Sequence, residues 1–250
     1  MTMIGIIGGS GLDDPGILSE PATVTVDTPY GPPSSELTLG RIGDAEVVIL
    51  ARHGRTHQFS PSQVNYRANI QAFKDQQVTH ILATTACGSL REKSGRGDFV
   101  ILDQFIDFTK HRKNTFFDSF EDGPHHTSLA EPFDAGLRKV LYETSSALGY
   151  RTHDGGTMIS IEGPRFSTKA ESKMFRIWGG DVINMSVATE ATLAMEAEIP
   201  YAAVAMSTDY DCWKEDEAPV TWAEILEVFN RNADKVKRLL VETIASVVHP

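Results

Sequence analysis

Tyr201-Ala202-Ala203-Val204-Ala205-Met206 is an unbroken apolar run that leads into Thr208-Asp209-Tyr210-Asp211-Cys212-Trp213-Lys214-Glu215. Such a run reads as a strand buried on both faces. Shorter strand signals recur at 3–7, 22–26, 46–50, 80–84, 99–102, 157–161 and 181–184. Between several of them lie segments with helical spacing, at 62–76, 135–148, 167–178, 188–198 and 222–247. Strands alternating with helices predict an α/β fold: a single domain over 1–250 with a mixed, mainly parallel central sheet flanked by helices on both faces. Ligands of such sheets bind beyond the carboxyl ends of the strands. Asp209 and Asp211 stand at such an end, two residues apart, a spacing that in a strand points both to one side. Two readings of the pair stand here: a solvated surface turn, or a coupled pair in which one acid stays protonated and donates a proton.

With 250 residues, 41% hydrophobic and 23% charged, the chain is long enough for a sizeable core. No apolar run is long enough to span a bilayer, so no membrane partner is expected. A formal net charge of −11 argues against nucleic acid as a partner, while leaving room for a locally positive pocket. Two cysteines, Cys87 and Cys212, are too few for a disulfide scaffold and read as buried, inert thiols. The first residues show no secretory leader pattern, and a cytoplasmic location is expected.

Three strand ends offer donors to an anion. Gly8-Gly9-Ser10-Gly11 is either a phosphate cradle or a structural turn; it lacks the spacing of a dinucleotide fingerprint and the ending of a P-loop. Arg52-His53-Gly54-Arg55-Thr56-His57 sets guanidiniums and imidazoles at a second end, and it carries no carboxylate or cysteine to complete a metal site. Thr84-Thr85-Ala86-Cys87-Gly88-Ser89 supplies hydroxyls at a third. In Ile161-Glu162-Gly163-Pro164-Arg165-Phe166-Ser167, Phe166 either stacks on a flat ligand or fills the core. Ser186 either donates to an anion or caps the helix that follows, and Glu190 is placed to engage sugar hydroxyls. The stretch 110–129, with His111, Asp118, Asp122, His125 and His126, shows neither helix nor strand period and reads as a functional or interface loop, or a loose surface one. At the chain's end, Ile225, Phe229, Val236, Leu239, Leu240 and Ile244 form the core stripe of a long amphipathic helix.

Taken in order, these segments, with Thr28-Pro29-Tyr30-Gly31, Val64-Asn65-Tyr66, Ala130-Glu131-Pro132-Phe133 and Val182-Ile183-Asn184-Met185, resemble the trimeric purine nucleoside phosphorylase family across nearly the whole chain. Within it the chain is most similar to the 5'-methylthioadenosine phosphorylases. The resemblance implies a homotrimer that cleaves a purine nucleoside with inorganic phosphate as co-substrate and no cofactor or metal. It places Ser10, Arg52, His53, Thr85, Ala86 and Ser186 on phosphate-binding positions, and Phe166, Ser167, Asp209 and Asp211 on base-binding ones. Met185 falls against the ribose, while His126 reaches the 5' end of the substrate in the adjacent subunit.

The implied chemistry suits these residue types. A donor nest holds phosphate beneath C1', and a protonated Asp209 donates to purine N7, with Asp211 keeping its pKa up or orienting the 6-amino group. Enzymes of this family for 6-oxopurines place asparagine and glutamate where this chain has Asp209 and Ser167, a pair that matches an adenine edge. Ser10 and Ser186 replace common threonines, and Ser186-Val-Ala-Thr-Glu190 departs from Thr-Thr-Val-Pro-Glu. The sequence ends at Pro250, short of the extension that closes the 5' pocket in longer relatives, with Trp222 and Ile225 expected to line that pocket. Adenosine, methylthioinosine and 6-oxopurine nucleosides remain alternative substrates, and a nucleoside-binding module without catalysis is the alternative of another class.

Overall fold

The computed structural model describes residues 2–8, 15–121, 123–217 and 221–249. The apolar run forms β11 (Tyr201–Asp209), buried along its whole length. It lies parallel to β5 (His80–Ser89), which lies parallel to β1 (Met3–Gly8), which in turn lies parallel to β4 (Ala45–Ala51). One edge continues antiparallel through β3 (Leu37–Ile42) and β2 (Ser19–Val24). The sheet branches at β5, whose last residues, Gly88 and Ser89, also pair antiparallel with β10 (Val182–Asn184). Beyond it come β9 (Thr157–Ile161) and β7 (Gln104–Phe108), both in parallel pairings. On the other branch β6 (Phe99–Ile101) pairs with β11 and with β8 (Thr152–Asp154). The sheet is mixed and mainly parallel, with helices on both faces.

Period-two alternation inside the apolar strands feeds two cores. Ile7, Val48, Leu50, Ala83 and Ala205 point to the face covered by α1 (Tyr66–Asp75) and α4 (Val187–Glu196). Ile4, Ile6, Val47, Ile49, Val204 and Met206 point to the face covered by α2 (Ala135–Ala147) and α5 (Trp222–Val248). Each fully buried Ile, Leu or Val contributes about 1.5–3 kcal/mol relative to exposure. The stripe of α5 predicted from its spacing, Ile225 to Ile244, is buried at each named position. A third cluster around Ile159, Ile183 and Trp213 is covered by α3 (Lys169–Ile177) through Phe175.

Helices α1 and α3 start later than their apolar periodicity suggests, at Tyr66 and Lys169, whereas α2 and α5 start where it predicts and α4 one residue earlier; caps set several of these boundaries. Asn65 accepts the N–H of Ala68 and opens α1, while Thr168 with Glu171 and Thr221 with Glu224 form capping boxes on α3 and α5. Strands β3, β7 and β8 carry weaker sequence signals than the others. Gly40 interrupts β3, where a Cβ would stand 2.9 Å from Leu18 and from the Ser19 carbonyl. β7 is half-buried throughout, and β8 is only Thr-His-Asp. No helix among the described residues is long and apolar enough to cross a membrane.

Candidate active site

Parallel pairing brings the carboxyl ends of β4, β5 and β11 to one edge, and they open into a cavity of about 510 Å³, within the range of nucleoside-sized ligands. Arg52, His53, Thr85, Ala86, Phe166, Ser167, Met185, Asp209, Asp211, Trp222 and Ile225 all line it. Ser186 stands just behind the wall, buried, with its Oγ 3.5 Å from Asn184 Nδ2. His126 is exposed, edge-on to Phe120, and does not line this cavity. Ser10 and Asp122 lie outside the described residues.

Asp209 is 5% exposed. Its Oδ1 accepts the N–H of Asp211 at 2.7 Å and its Oδ2 accepts the Thr208 hydroxyl at 2.8 Å. Burial, opposed by these two hydrogen bonds, pushes its pKa up to about 6, with a lesser upward push from Asp211. Asp211 is also raised by burial, against the hydroxyls of Ser172 and Ser167. The surface-turn reading of the pair is therefore overturned, and loss of water, more than like-charge coupling, dominates the shift. The two acids do not share a strand, as their spacing had suggested: the strand ends at Asp209, and Asp211 reaches the cavity from a turn at a φ of 52°. Gly88 makes room for both acids, since a Cβ there would stand 3.0 Å from Asp209 Oδ1 and 3.4 Å from Asp211 Cβ.

Arg52 is almost wholly buried. Its Nε donates to Glu190 Oε1 at 2.5 Å and its Nη2 to Oε2 at 3.0 Å, while Nη1 donates to the Thr84 carbonyl at 2.9 Å. Burial works against the guanidinium charge, and Glu190 more than offsets it, so Arg52 stays cationic. Three of five N–H groups are used, leaving one each on Nη1 and Nη2 at the cavity edge. Glu190 is not placed for sugar hydroxyls: it is fully buried, holding Arg52 and accepting the Tyr201 hydroxyl at 2.9 Å.

His53 is pushed down to about 4 by burial and by Arg52 beside it, so it is neutral near pH 7. Its Nδ1 is 2.9 Å from the Phe59 carbonyl, which can only accept, so the neutral ring carries its proton there. Nε2 is then an acceptor, whereas a donor was expected from the sequence. Thr85 Oγ1 donates to the Ala86 carbonyl at 3.0 Å and accepts from Asn184 Nδ2 at 3.2 Å. Ser186 sits at the N-cap of α4 without making a side-chain cap bond, so its hydroxyl is not used as the capping reading requires. Cys87 is buried and Cys212 half-buried, and burial raises both thiols.

Other site elements carry little sequence signal. Phe59, Pro61 and Gln63 form a wall between Arg52-His53 and α1, and Thr208 and Asn184 also line the cavity. The stretch 110–121 contains no helix or strand, yet it is tied down: Arg112 binds Glu162, Phe116 N–H and Thr115 bind Glu196, and Arg67 pairs with Asp118. The loose-loop reading therefore fails for this part.

The sequence profile of the phosphorylase superfamily matches residues 3–245. The chain belongs to the phosphorylase superfamily. It is 54% identical to the S-methyl-5'-thioadenosine phosphorylase of Xenopus tropicalis over 98% of this chain and 88% of that one. It is 50% identical to the enzyme of that name from Saccharolobus solfataricus, over 96% of this chain and 88% of that one. The methylthioadenosine phosphorylase of Schistosoma mansoni in complex with adenine superposes with a TM-score of 0.95 at 40% identity, covering 100% of this chain and 93% of that one. A variant of that organism's adenosine/methylthioadenosine phosphorylase, in complex with methylthioadenosine, superposes with a TM-score of 0.94 at 40% identity, with the same coverage. Phosphorylase superfamily membership agrees with the fold and with the strand-end position of the cavity.

Proposed function

We propose that the chain is a phosphate-dependent 5'-methylthioadenosine phosphorylase, releasing adenine and 5-methylthioribose 1-phosphate. The observation that carries this reading is one cavity lined by a buried Asp209 whose pKa burial raises, by Ser167, and by Arg52 and Thr85 from the adjoining strand ends. The names of the relatives support the substrate. Adenosine is a second substrate by this reading, supported by the double name of one neighbour.

A phosphate oxygen forms its bond to C1' as the C1'–N9 bond breaks, and the bonding pair leaves with the purine. Asp209 delivers a proton to N7, so the base departs neutral. The cationic sugar of the transition state lies between the base and the phosphate, whose charge stabilises it. Ser10, Arg52, Thr85, Ala86 and Ser186 hold phosphate, and His53 Nε2 accepts a hydrogen bond from its P–OH group. Phe166 stacks on the base, Ser167 and Asp211 read its 6-amino edge, and Met185 packs against the ribose. Trp222 and Ile225 enclose the 5' substituent together with His126 of a neighbouring subunit in a cytoplasmic homotrimer. Phosphate is the co-substrate, and no metal or cofactor takes part.

The test is phosphorolysis of methylthioadenosine, adenosine, methylthioinosine and inosine side by side, with and without phosphate. Phosphate-dependent release of adenine, fastest from methylthioadenosine, supports the reading. Faster turnover of inosine would overturn the base assignment, and nucleoside binding without turnover would establish a binding module.

A further inference from the structure

We infer that Arg112 and Glu162 are positioning residues for the nucleoside, locking together the segments that wall the base and ribose side of the cavity. The inference rests on the nucleoside reading of that cavity. Arg112 comes from the irregular stretch after β7, yet its side chain is only 2% exposed. Its Nε donates to Glu162 Oε1 at 2.9 Å, its Nη2 to the Glu162 carbonyl at 2.6 Å, and its Nη1 to the Tyr66 hydroxyl at 2.5 Å. Glu162 also accepts the N–H groups of Lys110 and His111 at 2.7 and 3.1 Å, and the Ser62 hydroxyl at 2.9 Å. Tyr66 passes the connection on, donating to the Pro61 carbonyl at 3.0 Å, with the Met185 carbonyl at 3.5 Å.

Pro61, Pro164, Phe166, Ser167 and Met185 all face the cavity. One planar guanidinium thus ties two wall segments together, the turn around Pro61 and the turn from Glu162 to Ser167, while the shared Tyr66 hydroxyl lies near the Met185 carbonyl of the β10–α4 junction. A lysine offers one point charge and cannot span the two Glu162 oxygens and Tyr66 together. An ion pair with one buried partner is poor stabilisation when compared with apolar packing, so its presence in this wall is better explained by the geometry it imposes. On the phosphate side Arg52 and Thr85 are held instead by Glu190, the Thr84 carbonyl and Asn184, and only His53, through the Phe59 carbonyl, is tied to the turn that Arg112 supports. Loosening the Arg112 wall should therefore displace the nucleoside and spare the phosphate.

Steady-state kinetics of the full chain test this, varying methylthioadenosine at saturating phosphate and then the reverse. Arg112→Met is expected to raise the nucleoside KM by about ten-fold while the phosphate KM stays within about two-fold. Arg112→Lys, which also serves where Arg112→Met does not fold, should show the same selective rise, because restored charge does not restore the fork. Unchanged nucleoside KM in a folded variant, or equal loss in both KM values together with a lowered Tm, overturns the inference and leaves the proposed function standing. Absence of phosphorolysis in the unsubstituted enzyme overturns the functional reading and the inference with it.

Discussion

Asp209 accepts the backbone N–H of Asp211 at 2.7 Å, so the residue expected to raise the Asp209 pKa by charge also lowers it through its main chain. What holds the Asp209 carboxyl up at about 6 is burial. A nucleoside packed against it removes more water and pushes in the same direction. Because the acid must be protonated to donate, kcat/KM for methylthioadenosine should carry a descending limb as pH rises through about 6. That limb should be absent from the residual activity of Asp209→Asn.

The same shift has a stability sign. The folded state keeps the Asp209 proton to about 6 and the unfolded chain only to 3.8, so the folded state binds more protons between these values. Stability from this group is full below 3.8 and lost as pH rises through about 6, by on the order of 3 kcal/mol. Asp209→Asn should therefore raise Tm at pH 8 more than at pH 5, while kcat falls by about 10²–10⁴-fold. Thermal unfolding at both pH values checks it.

Glu190 serves Arg52 rather than the substrate. Glu190→Ala strands a buried guanidinium, and urea unfolding should show a loss of about 3–5 kcal/mol. In whatever fraction folds, the KM for phosphate should rise more than that for the nucleoside.

Trp222 is 49% exposed at the cavity mouth, with its ring centroid 5.6 Å from that of His57. In the proposed reading Trp222 walls the 5' end of the substrate, where an apolar surface favours methylthio over hydroxymethyl. Trp222→Ala should lower kcat/KM for methylthioadenosine by about ten-fold and change that for adenosine less.

Base preference should follow the hydrogen-bond pattern. Combining Ser167→Glu with Asp209→Asn presents an acceptor to N1–H and an amide to a 6-carbonyl. The ratio of inosine to adenosine kcat/KM should rise by about 10²-fold or more.

The fold was legible where strands are buried on both faces, because a run such as 201–206 leaves few alternatives. Half-buried β7 and three-residue β8 were not, since their partners, and not their side chains, make them strands. In the site, glycine and hydroxyl motifs at strand ends marked most of the cavity. Glu190 was misread because its partner is 138 residues away in sequence, and nothing local says which way a helical carboxylate is held. Arg112 carried no pattern, and the motif around Glu162 gave no sign of a partner 50 residues away, because the two are joined only through the fold.

The central claim, that Asp209 protonates N7 of the departing purine, is tested most directly with a nucleoside already methylated at N7, whose base leaves without a proton. Asp209→Asn should lose about 10²–10⁴-fold on methylthioadenosine and retain most of its rate on the N7-methylated analogue. Equal losses on the two substrates, or an undiminished rate on methylthioadenosine, would contradict it.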